Sequence, residues 1–183
     1  MMRGATRLAP QPTAGVSGER RDRPMQAEAI KADMTEATRL TRAGVHSGLA
    51  YGAAHDLPSA FAAMQAGGGH PAPGAPIPLI IFHGDTDPIV DPVNADCLIR
   101  QATGTQRRAA AARTRQQAPG RRPSTRTVHR GPDGRTLAEQ WTVHGTGHAW
   151  SGGTPHGTHT DPQGPDASTE MLRFFAEHPR RCS

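Results

Sequence analysis

Two segments of this chain carry residue types that together could do hydrolytic chemistry. PLIIFHGDTDPIV places Asp87 just past an apolar run, and EQWTVHGTGHAWSGG places His148 in a glycine-rich stretch 61 residues later. A carboxylate can accept the ring N–H of a histidine, fix its tautomer and stabilise the imidazolium formed when the other ring nitrogen takes a proton. Asp85 competes for the acid role, because it shares the turn His83-Gly84-Asp85-Thr86-Asp87 and spacing does not separate the two. Gly145, Gly147, Gly152 and Gly153 surround His148 and permit tight backbone conformations that bring an imidazole close to a substrate. Acid followed by base is also the order of the last two members of a Ser, Asp, His series, whose serine sits upstream on a G-x-S-x-G turn.

That serine is the missing part. The nearest approach is Gly15-Val16-Ser17-Gly18-Glu19, where Glu19 stands in place of the second glycine, no apolar strand precedes Ser17, and the charged run GERRDR overlaps and follows. Ser17 is therefore a weak nucleophile candidate. A metal reading rests on His144, His148, His156, His159 and Asp161, gathered within 18 residues. It has neither thiolates nor a helical His-x-x-x-His pair, and we expect no metal and no cofactor.

The elements that must position Asp87 and His148 are legible around them. Pro78 to Phe82 is continuous apolar sequence, the pattern of a parallel strand covered on both faces. Asp91 and Pro92 should open a helix running to about Gln101, with Val93, Cys97 and Leu98 facing inward. STRTVHR and RTLAEQWTVHG flank Gly131-Pro132-Asp133-Gly134, a hairpin signature. Asp166 should cap a last helix to His178, with Met171, Leu172, Phe174 and Phe175 inward. Earlier, Gly44 to Gly48 is a short strand-like piece, Leu57 to Ala66 has helical spacing, and Gln26 to Arg42 makes a weakly anchored helix.

Composition narrows the class. The chain has 183 residues, 34% of them apolar, with 21 glycines and 17 prolines, so it is loop-heavy yet long enough for one domain. Its net charge is +5, but nine arginines between Cys97 and Pro132 stand in a window without Asp or Glu; without them the balance is about −4. Thr103 to Pro123 within that window reads as a solvated insertion. It lacks aromatic residues for base stacking, so a basic module binding nucleic acid or another polyanion is the alternative function rather than the first. Cys97 and Cys182 could form one bridge or stay free thiols. No run is long enough to cross a membrane, and no secretory signal is recognisable, so the chain as written carries no export address.

GDTDPIVDPVNAD, together with EQWTVHGTGHAWSGGTPHGTHTDPQGPDASTEMLRFF, resembles the C-terminal half of the polyhydroxybutyrate depolymerase family of esterases. GVHSGLAYGAAHDLPSAFAAM resembles the stretch after that family's nucleophile helix. The resemblance covers about Gly44 to His178 and implies an α/β-hydrolase fold and an extracellular serine esterase acting on polyester or short-chain esters. By it Asp87 is the triad acid and His148 the base, with Trp150, Ser151 and Gly152 near the substrate. The family's elbow and preceding strands have no counterpart in residues 1–43. The expectation is thus an incomplete α/β-hydrolase over 44–179 with an Arg-rich loop at about 104–123, a disordered or weakly helical segment over 1–43, and little or no esterase activity from this chain alone.

Overall fold

The computed structural model describes residues 42–68, 77–104 and 111–179. The chain divides into Met1–Thr38 and Arg39–Ser183, and all described residues belong to the second unit. The expected helix from Gln26 to Arg42 falls, except for its last residue, outside the described residues, as do Ser17 and Cys182. Cys97 is a buried free thiol.

The architecture is mixed α/β. Five strands form one sheet: β1 (Ala43–His46), β2 (Leu79–Gly84), β3 (Ala111–Gln116), β4 (Ser124–Arg130) and β5 (Thr136–Val143), in the spatial order β1-β2-β5-β4-β3. β1, β2 and β5 run parallel, whereas β4 and β3 join antiparallel. A two-stranded parallel pair, β6 (Trp150–Ser151) and β7 (Thr160–Asp161), follows. Three helices complete the described residues: α1 (Leu57–Ala66), α2 (Val93–Thr103) and α3 (Ala167–Glu177).

β2 holds the centre because every one of its six residues is buried. Its alternation feeds two cores. Leu79 and Ile81 pack with Ala95, Leu98 and Ala102 of α2, while Ile80 and Phe82 pack with Trp141, Val143, Met171 and Phe174 on the α3 side. Full burial of each large side chain stabilises by roughly 1.5–3 kcal/mol, so this short strand anchors both layers. Gly44 lets α3 approach β1, since a Cβ there would stand 2.9 Å from Met171 Sδ.

Several local expectations change in detail. Pro92 takes the cap position of α2, and Asp91 contributes from one residue earlier by accepting the Val93 N–H. In α3, Leu172 is 69% exposed, because Met171 and Phe174 define a stripe that leaves it on the outer side. Within the Arg-rich stretch, residues 111–121 are exposed, and where a loop was expected part of it is the strand β3, whose six residues are all exposed. Backbone pairing to β4, without any side-chain burial, holds it in place.

One polar cluster lies within the α3-side core. Glu139 of β5 is 1% exposed and accepts from Arg126 Nη2 at 2.6 Å, from Trp141 Nε1 at 2.8 Å and from Arg173 of α3. Burial alone would raise its pKa; the bonds from Arg126 and Trp141 and the two guanidinium charges hold it below the usual glutamate range. Glu139→Ala would strand the indole N–H and leave both arginines without their shared partner. We expect a loss of about 2–4 kcal/mol in urea unfolding, more than for Glu177→Ala at the exposed end of the same network.

Candidate active site

Parallel β1, β2 and β5 end at the same edge of the sheet, and each carries a histidine at or beside its end: His46 closes β1, His83 is the penultimate residue of β2, and His144 follows β5. The loops leaving β2 and β5 meet there. Asp85 N–H donates to Val143 O at 3.1 Å and Thr86 N–H to Thr146 O at 3.2 Å. Gly84 permits this approach, because a Cβ on it would lie 2.1 Å from Thr146 O and 2.8 Å from Gly147 O. No side chain fits that gap.

The meeting of the loops brings Asp87 and His148 together. His148 Nδ1 lies 2.9 Å from Asp87 Oδ2, and the other carboxylate oxygen accepts the N–H groups of Ile89 and Val90 at 2.9 and 3.0 Å. The Asp87 side chain is fully buried, while that of His148 is 38% exposed. Burial alone would raise the Asp87 pKa, but bonds from Val90, His148 and Ile89, with the nearby Ser47 hydroxyl, hold the carboxyl below its usual range. An ionised carboxylate only accepts, so Nδ1 carries a proton; in the neutral ring Nε2 is then a lone-pair acceptor, with no hydrogen-bond partner among the described residues.

Asp85 makes a separate pair. Its Oδ2 lies 2.7 Å from His144 Nδ1, and its Oδ1 accepts the Gly145 N–H at 2.7 Å. The structure thus separates the two acids that spacing left in competition: Asp87 serves His148, and Asp85 serves His144.

A cleft of about 230 Å3 opens beside His148, lined by His46, Ser47, Ala149, Trp150 and His159. Trp150 is 38% exposed and stacks on His46 with ring centroids 4.8 Å apart. His46 Nε2 accepts the Ser151 N–H at 2.8 Å. Burial, reinforced by His83 and His148 nearby, lowers the His46 pKa to about 4, so the ring is neutral at pH 7. Ser47 carries a φ of 47°, the only positive φ outside glycine among the described residues. Its buried hydroxyl has no hydrogen-bond partner of good geometry among the described residues, yet lies close enough to Asp87 to favour the ionised carboxylate.

Of the expected substrate-side residues, Trp150 lines the cleft and the other two do not. Ser151 is fully buried, its N–H committed to His46 and its hydroxyl to Pro165 O at 2.7 Å. Gly152, with a φ of +79°, packs where a Cβ would meet Asp166 Cα at 2.7 Å. Both residues are buried and packed against Pro165 and Asp166. The His and Asp residues considered for metal are dispersed: His144 serves Asp85, His148 serves Asp87, and Asp161 pairs with Arg122 and accepts from Thr146. Among the described residues no group of three His, Cys, Asp or Glu could hold an ion.

His46 and Ser47 were not singled out from sequence, although a signal existed. GVHSG, IIFHGD and WTVHGT repeat an apolar residue, then His, then Ser or Gly, at the ends of three strands. In a parallel sheet that repeat places three imidazoles at one edge.

Neither a protein-family model nor a curated protein matches this chain.

His46 gives a pH prediction. Its folded pKa lies below the ordinary value of about 6.5, so the unfolded chain binds the extra proton first as pH falls. Its neutral burial therefore contributes stability that is fully present above about pH 6.5 and is lost as pH falls towards about 4. Urea unfolding across that window should show the loss, and His46→Gln, which keeps an acceptor for Ser151, should flatten it.

Proposed function

We propose that His148 and Asp87 are the general base and orienting acid of a carboxylic ester hydrolase that uses a hydroxyl nucleophile. The observation that carries this reading is the 2.9 Å contact from His148 Nδ1 to a fully buried, doubly amide-bonded Asp87 carboxylate, with Nε2 beside a cleft and without a partner among the described residues. In such a site Nε2 takes the nucleophile's proton as oxygen attacks the ester carbonyl, and returns it to the leaving alcohol. Asp87 stays ionised throughout and stabilises the imidazolium. The sequence resemblance to polyhydroxybutyrate depolymerases supports the ester as substrate and the α/β-hydrolase fold as the frame; the parallel order β1-β2-β5, with acid and base at its C-terminal edge, is compatible with that frame.

The cleft favours small substrates. At about 230 Å3 it is below the roughly 300–1,000 Å3 of common small-molecule pockets, which suits one short acyl or hydroxyacyl unit against Trp150. The nucleophile is not assigned, and the expected rate is correspondingly low. A second reading, polyanion binding, draws on Arg113 and Arg115 standing on the fully exposed β3.

With a short-chain nitrophenyl ester, the purified chain should show slow turnover above the buffer rate. His148→Ala should lower it at least tenfold and Asp87→Asn by about tenfold. Turnover indifferent to both substitutions, together with steeply salt-dependent DNA binding lost when residues 111–116 are replaced, would favour the polyanion reading.

A further inference from the structure

The second acid–imidazole pair has a feature that the first lacks: a hydroxyl already in place. Thr125 Oγ1 lies 2.8 Å from His144 Nε2, and His144 Nδ1 lies 2.7 Å from Asp85 Oδ2. The Asp85 carboxylate can only accept, so Nδ1 carries a proton, and in the neutral ring Nε2 is the acceptor. In that state the threonine O–H donates to Nε2. This is the direction in which a proton leaves a hydroxyl that becomes a nucleophile.

The three groups stand on rigid supports. Thr125 lies in β4, paired with Thr142 of β5. His144 follows β5 directly, with its N–H bonded to Pro123 O at 2.9 Å, and Asp85 also accepts the Gly145 N–H. Access is open, since the His144 and Asp85 side chains are 30% and 36% exposed and Thr125 is partly so. Arg122, ion-paired with Asp161, borders the loop after His144: its Nη1 is 3.7 Å from the place where a Gly145 side chain would begin. Neither Thr125 nor His144 lines the cleft beside His148.

We propose that Thr125 is a nucleophilic hydroxyl, activated by His144 and oriented through Asp85, that accepts acyl groups from small activated esters. In this step Thr125 Oγ1 bonds to the acyl carbon while its proton moves to His144 Nε2. The bond from the acyl carbon to the leaving oxygen then breaks, and His144 returns the proton to that oxygen. The product is an O-acyl threonine and a free alcohol. A fluorophosphonate reacts in the same sense, forming the phosphorus–oxygen bond as the phosphorus–fluorine bond breaks and HF is released.

The test is peptide mass spectrometry on the full chain after exposure to nitrophenyl acetate or to an alkyl fluorophosphonate. The expected result is a single adduct on Thr125, slowed at least tenfold in His144→Gln and several-fold in Asp85→Asn. Thr125→Ser keeps the hydroxyl and should still be labelled at residue 125, provided that circular dichroism shows the wild-type fold. A folded wild-type chain with no adduct at Thr125 would overturn the proposal. So would Thr125 labelling that proceeds at the wild-type rate in His144→Gln, because the hydroxyl would then react without its base.

Discussion

The contact at Gly84 is the constraint on which the rest of this site depends. Two loops from neighbouring parallel strands cross there backbone against backbone, with Thr146 O and Gly147 O occupying the space a side chain would need. Only because that gap is closed do Asp85 and Asp87 reach His144 and His148 across some sixty residues of chain. The spacing of the partners follows from local geometry: the acids are two positions apart, the imidazoles four, and both pairs form at once.

The core below supplies the rigidity that such a crossing needs. Phe82 and Trp141 stack with centroids 5.2 Å apart inside the α3-side layer, and Phe82 also faces His46 at 6.0 Å. His46 in turn carries Trp150 at the cleft. An unbroken series of flat side chains therefore runs from the sheet interior to the surface beside His148. The neutral state of His46 fits this position, because a charged ring there would lie among apolar neighbours and close to two other imidazoles. The strained backbone of Ser47 lies at the start of the same loop, where strain of order 1–3 kcal/mol persists only if the surroundings over-determine it.

Much of this was legible in the sequence wherever one strong physical signal acted alone. The unbroken apolar run before Asp87 marked a strand covered on both faces, and Gly131-Pro132-Asp133-Gly134 marked the β4–β5 turn. The Asp166 cap and the Phe174 stripe marked α3. Reading failed where the decisive interaction was with a distant backbone. Ser151 resembled a pocket residue until its hydroxyl was found on Pro165 O, and Leu172 sat beside inward residues yet faces outward. β3 was invisible because composition reports burial, and AARTRQ buries nothing; its strand character comes wholly from the ladder to β4. The choice between Asp85 and Asp87 was likewise closed to sequence, because it depends on which imidazole each carboxylate meets.

The paired loops also determine how this region can move. Asp85 N–H, Thr86 N–H and Gly145 N–H are all protected by bonds that span the two loops, and each of those bonds requires the same crossing at Gly84. Separating the loops by even one side chain's width breaks them together, along with both imidazole–carboxylate contacts. The region therefore behaves as one cooperative opening unit in native-state hydrogen exchange, with a common free energy of opening across amides far apart in the chain. Its two acid–base pairs are assembled and dismantled in a single event.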